Sequence, residues 1–139
     1  MNLIKHRFSI LLVFSFLSLF TYAQTPNGSY LPEQISTALN EGNVRLLSSF
    51  FNANVELVVL DKMDVYSKPQ AFLIVQDFFY RYPPTKFTVI RDGTNDTNSA
   101  IYAFGDLYTS RGKFRTSILI KIINNQYSIQ QLKFVPNNN

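Results

Sequence analysis

Asp92, Asn95 and Asp96, in the run DGTNDTN, set two carboxylates and an amide around a glycine, an oxygen-rich spacing that could hold a calcium ion weakly. A full calcium loop carries more acidic ligands at alternate positions and closes on a glutamate, so a solvated turn is the simpler expectation. Asp106, Tyr108 and Arg115 come together if the chain folds back near Arg111-Gly112. Such a spot suits a small anion or a partner, or is only a cross-strand charge pair worth roughly 0.2–1 kcal/mol. Glu56 and Asp61 are the acids nearest the first expected strand, and burial of either would give it the raised pKa of a general acid or base. Other chemistries lack their residues: the chain has no cysteine, and its single histidine is His6. Triads, thiol chemistry and zinc or copper sites have nothing to use beyond that point. No catalytic residue, metal ligand or cofactor is expected.

Those groups depend for their placement on Ala100 to Val135, which reads as two consecutive β-hairpins. Arg111-Gly112 and Asn124-Asn125 are loop pairs that accept positive φ. Counting outward from the first loop sets Ile101 against Ile122, Ala103 against Ile120, Gly105 against Ile118 and Leu107 against Thr116, all on one apolar face. The opposite, outer face then pairs Tyr102 with Lys121, Phe104 with Leu119, Asp106 with Ser117 and Tyr108 with Arg115. The second loop sets Tyr127 against Ile122 and Ile129 against Ile120. Beyond it the alternation breaks, and one extra residue at Gln130-Gln131, a β-bulge, restores Leu132 opposite Ile118 and Phe134 opposite Thr116.

The elements upstream must cover that apolar face. Leu31 to Glu41 reads as a helix with Pro32 in its first turn, stopped by Gly42. Asn43 caps a second helix to about Phe51, with Leu46, Leu47, Phe50 and Phe51 as its buried stripe. Asn54 to Leu60 is a strand, Asp61 to Asp64 a turn, and Val65-Tyr66 a brief return. Ser67 and Gln70 stand at capping-box spacing before a helix to Tyr82, whose Ala71, Ile74, Val75, Phe78, Phe79 and Tyr82 follow the helical period. Pro83-Pro84 ends it. Lys86 to Arg91 is a further strand, Asp92 to Asn98 a connection, and Pro136 to Asn139 a loose tail. The order predicts an α+β domain, its helices packed on one face of a curved antiparallel sheet.

The beginning of the chain reads as a signal peptide, residues 1–23. Lys5, His6 and Arg7 precede an apolar run from Phe8 to Phe20, and Thr21-Tyr22-Ala23 offers a cleavage site. A run of roughly 13 residues is too short for a bilayer, which needs about 20. Cleavage near Ala23 would export the protein to the periplasm or the exterior, with no membrane span left. It would leave a polar lead at 24–30, one domain at 31–135 and a tail at 136–139. It would also leave eleven Lys/Arg against nine Asp/Glu, with no basic stripe of the kind nucleic acid requires.

Gly42-Asn43, Phe50-Phe51, Val55-Glu56-Leu57, Tyr66-Ser67-Lys68 and Gln70-Ala71 occur in an order that resembles a known pattern. Phe78-Phe79, Gly105, Gly112, Phe114-Arg115 and Gln130-Gln131-Leu132 continue it. The pattern is similar to the exported bacterial family called domain of unknown function 4783, and to the nuclear-transport-factor-2-like, cystatin-type cone fold. The resemblance implies a cone in which Phe50, Phe79, Leu107, Phe114 and Phe134 either line a cavity for a small apolar ligand or simply fill it. It also makes sheet-to-sheet homodimerisation plausible, through Tyr102, Phe104, Tyr108, Arg115 and Leu119 on the outer face. Enzymes of this fold that resemble ketosteroid isomerase use two buried acids. Their positions fall near Leu57 and Leu119, both apolar here, and the histidine of related dehydratases has no counterpart after cleavage. The expected function is a non-catalytic binding or interaction module. The alternative is an isomerase- or dehydratase-like enzyme using a buried carboxylate.

Overall fold

Two short helices lead into the sheet, and single residues set their limits. The computed structural model describes residues 28–139, so the expected signal peptide and most of the polar lead lie outside the described residues. Helix α1 spans Glu33–Glu41 and stops where Gly42 takes a left-handed φ of 66°. Helix α2, Val44–Ser49, begins where the Asn43 side chain accepts the Leu46 N–H at 3.0 Å. It ends sooner than expected. The Phe50 carbonyl accepts the Ile129 N–H at 2.7 Å, which draws Phe51 out of the helix and into strand β1, Phe51–Val59.

The loop Leu60-Asp61, tighter than the expected four-residue turn, leads to β2, Lys62–Ser67. Helix α3, Lys68–Arg81, carries the expected capping box between Ser67 and Gln70. Strand β3, Pro84–Thr94, outruns its expected limits at both ends, and β4 (Ala100–Thr109), β5 (Gly112–Ile123) and β6 (Gln126–Pro136) complete the sheet. The strand order is β2-β1-β6-β5-β4-β3, antiparallel throughout except where β1 lies parallel to β6. The last strand claims Pro136, and the Asn137 N–H bonds to the Lys113 carbonyl at 2.8 Å, so the tail is tied down further than expected.

The second hairpin follows the expected register. Asn124 and Asn125 take φ of 51° and 60°, Ile122 faces Tyr127, and the bulge falls where Leu119 pairs with Gln131 but Ile120 with Ile129. The first hairpin does not. Its loop is Ser110-Arg111, closed by Thr109, whose hydroxyl accepts the Arg111 N–H at 3.1 Å and donates to the Gly112 carbonyl at 2.7 Å. Ile101 therefore faces Ile120, Ala103 Ile118, Gly105 Thr116, and Leu107 Phe114. The slip is two residues, one full side-chain period, so every residue keeps its face.

The core lies between α3 and the inward face of the sheet, with Phe78 at its centre. Phe78 is fully buried, its ring stacked on Phe134 at 4.7 Å between centroids and edge-on to Phe114 at 5.0 Å. Phe79 and Tyr82 extend the cluster. Both sheet edges are blunted against further pairing. The Asn40 side chain on α1 accepts the outward Phe87 N–H of β3 at 2.9 Å, and Asp64 accepts the Val65 N–H of β2 at 2.7 Å.

Asp92 and Asn95 do not form the calcium-like arrangement. Asp92 shares the inward register with Ala103 and takes the Ser29 hydroxyl and the Leu31 N–H, the latter at 3.0 Å. Asn95 instead shapes its own turn, accepting the Ser99 and Ala100 N–H groups at 2.8 and 3.0 Å. Burial alone would raise the Asp92 pKa. Hydrogen bonds from Ser29, from the Leu31 and Tyr30 amides and from its own amide outweigh burial and hold the carboxyl below its usual value.

Truncating Phe78 to alanine removes the ring on which four others pack, and should cost about 3–5 kcal/mol in urea unfolding. Because the Asp92 carboxyl is lowered by folding, the stability it adds is complete above its unfolded value. That stability is lost as pH falls through the folded value. A carboxyl-carbon NMR titration should place Asp92 below an aspartate in an unstructured peptide. The Ser29–Leu31 amides should move with the same midpoint, and Asp92→Asn should abolish that movement.

Candidate functional site

The outer sheet face is ordered in rows that cross all six strands. One row runs Val65, Glu56, Gln131, Leu119, Tyr102, Gly93, and the next runs Met63, Val58, Lys133, Ser117, Phe104, Arg91. The corrected register sets Tyr102 opposite Leu119 and Asp106 opposite Arg115, while Tyr108 faces Lys113. Tyr102 lies flat over Gly93, where any side chain would collide with its ring and hydroxyl. The Tyr102 and Phe104 rings stand 6.2 Å apart and are 37% and 42% exposed, so the patch is open to solvent. Tyr108 is exposed to the same degree. Beside the patch, Asp106 accepts from Arg115 at 3.0 Å and from the Asn137 side chain at 3.1 Å, with the Lys113 ammonium at 4.0 Å. Its charge is answered within the chain. The five outer-face candidates thus share one surface.

The five pocket candidates do not share one cavity. Phe79, Leu107, Phe114 and Phe134 are buried in the core. Phe50 is half-buried at the margin of that core, beside shallow grooves with Tyr127. Glu56 faces outward and accepts the Gln131 side-chain N–H at 2.7 Å, and Asp61 is exposed at a hairpin tip. Leu57 is fully buried, but Leu119 faces outward, away from any interior site. Asp64 and Asp92 share the inward register, at opposite edges of the sheet. The buried polar residues among those described are Ser48 and Thr116, neither ionisable.

A cleft of about 410 Å³ opens instead between α3 and the β1–β2 hairpin. Leu57, Val59, Leu60, Tyr66, Leu73 and Ile74 form its apolar lining, with Asp61, Lys62, Asp77 and Arg81 also bordering it. Asp77 and Arg81 are one turn apart on α3 and bonded to each other at 2.9 Å. Reading the sequence passes over this place, because its residues come from three elements and only Ile74 lies on the α3 stripe. Leu73 is the available signal: an apolar side chain on the polar side of α3, 60% exposed.

The profile of the family described as "Domain of unknown function (DUF4783)" matches residues 32–135. A DUF4783 family protein from Bacteroides ovatus is 28% identical, with a TM-score of 0.74 over 81% of this chain and 100% of that one. A second, from Bacteroides uniformis, is 26% identical, with a TM-score of 0.73 over 78% and 99%. A Xanthomonas campestris protein named for a calcium/calmodulin dependent protein kinase II association domain shares the fold alone, at 12% identity and a TM-score of 0.55 over 74% and 80%. No curated protein matches the sequence. No helix among the described residues is long and apolar enough to cross a membrane. With its profile covering most of the chain, and its helices and sheet arranged as in nuclear-transport-factor-2-like structures, this chain belongs to the family called domain of unknown function 4783.

Proposed function

We propose that this chain is an exported, non-catalytic interaction module that pairs with a second copy of itself through the outer face of its sheet. The observation that carries the reading is the Tyr102–Phe104–Leu119 patch, contiguous across β4 and β5 and open to solvent. Aromatic rings gain most when water leaves both their faces. Export is the expectation raised by the first 23 residues, and it supports a module that works by contact.

Charge and extent also favour a second copy. Asp106 is already answered by Arg115 and Lys113, and Glu56 accepts from the Gln131 side chain, so covering this face leaves neither carboxylate without a partner. The rows carry apolar groups as far as Val58, Met63 and Val65, giving room for the roughly 1,200–2,000 Å² that a stable pair buries. A two-fold contact needs only that one such face complement itself. The likeness to an association domain supports the reading through the fold alone. Non-catalysis is supported by the placement of Glu56 and Asp61 and by a core without ionisable groups among the described residues.

Sedimentation of the chain at micromolar concentration should show a dimer. Phe104→Lys sets a charge at an exposed ring position and should weaken pairing by about tenfold or more while leaving thermal unfolding of the monomer little changed. A wild-type chain that remains monomeric at tens of micromolar would remove the proposal.

A further inference from the structure

The cleft between α3 and the β1–β2 hairpin has a wall that the backbone alone would not choose. Four non-glycine residues among those described take a positive φ: Asn98, Asn124, Asn125 and Leu60. Asparagine tolerates the left-handed region because its short side chain bonds locally. Leucine has no such compensation, and a hairpin loop ordinarily spends glycine or asparagine there. Leu60 nevertheless holds φ at 61°, its N–H anchored to the Phe134 carbonyl at 2.9 Å and its side chain half-buried in the lining of the cleft. A strained residue whose side chain faces a cavity points to use of that side chain.

We propose that this cleft is a binding site for a small, uncharged amphiphile. Its volume, about 410 Å³, falls in the range of small-molecule sites. Val59, Leu60, Leu73 and Ile74 offer the ligand's body an apolar bed. Of the bordering charges, Asp77 and Arg81 satisfy each other, and Asp61 and Lys62 are exposed neighbours of opposite sign. The lining is therefore neutral, and a charge carried into it would lose water without gaining a dedicated partner. A polar end of the ligand meets the charged border of Asp61, Lys62, Asp77 and Arg81. This site is separate from the outer face, since Leu57 and Val59 alternate with Glu56 and Val58 along β1.

The test is titration of the full chain with N-phenyl-1-naphthylamine, an uncharged dye that fluoresces in apolar surroundings. The expected result is saturable one-to-one binding. Leu60→Gly relieves the left-handed strain while deleting the wall, so its unfolding midpoint should hold or rise while dye affinity falls about fivefold or more. Leu73→Asn, at an exposed position, should weaken the dye without touching the core. The anionic analogue 8-anilinonaphthalene-1-sulfonate should bind at least about fivefold more weakly than the uncharged dye. Absence of saturable binding, or equal binding to wild type and Leu60→Gly, would overturn the site, since it would place any bound dye elsewhere on the chain. Equal affinity for the anionic dye would overturn the uncharged class.

Discussion

The contact between Phe78 and Phe134 is the point from which the rest of the molecule takes its geometry. One ring comes from the last turn of α3 and the other from the last strand, and they stack at 4.7 Å with Phe114 set edge-on. That contact brings the long helix across β6, the strand that lies parallel to β1 on one side and antiparallel to β5 on the other. A helix seated there packs along β1 and β2 and reaches β5 and β6 through Phe78, while α1 covers the β3 end. The contact also decides which face is left bare, because the period of two sends Tyr102, Phe104 and Leu119 outward whenever Ile101, Ala103 and Ile118 turn inward.

What could be read from the residues follows the same logic. Hydrophobic period states which face a residue occupies, and it did so correctly for every strand of the two hairpins. It is silent about shifts of two, which is why the expected and observed registers of the first hairpin differ by that amount. Ile101 faces an isoleucine in either register, so burial offers no way to tell the two apart. The decision belongs to Thr109, whose hydroxyl closes the loop one residue earlier than Gly112 suggests. The β6 bulge was legible because it is a shift of one, which would have turned Leu132 and Phe134 outward. The parallel pairing of β1 with β6 left no comparable mark. It joins strands nearly eighty residues apart, through Phe50 and Ile129, with no turn between them to read.

Sites were less legible than faces. Asp92 was conspicuous as an oxygen ligand, and its carboxylate is indeed used, but by Ser29 and Leu31 from the far end of the chain. Composition identifies a hydrogen-bonding group. It cannot say that a segment some sixty residues earlier will arrive to satisfy it. The phenylalanines raised the opposite difficulty: their number suits a cavity wall and a solid core equally, and only ring positions separate the two. The Leu60 torsion is legible in no sequence pattern, since an apolar residue after Val58-Val59 reads simply as more strand.

A solid interior has a consequence for how such a chain can recognise anything. Phe78, Phe114 and Phe134 fill the space in which a cone could otherwise enclose a ligand, and close packing there leaves no room for a charged group without loss of stability. Recognition as proposed here falls instead to places where packing is incomplete by construction. One is the outer face, bare because the helices all lie on the other side. The other is the margin where α3 diverges from the β1–β2 hairpin, bridged by a leucine in a costly conformation. The two lie on opposite faces of β1, whose Glu56 and Val58 belong to one and whose Leu57 and Val59 belong to the other. A displacement of that strand would alter both at once, so the proposed occupancy of the cleft and the proposed pairing through the sheet face would share a mechanical element even though they share no residue.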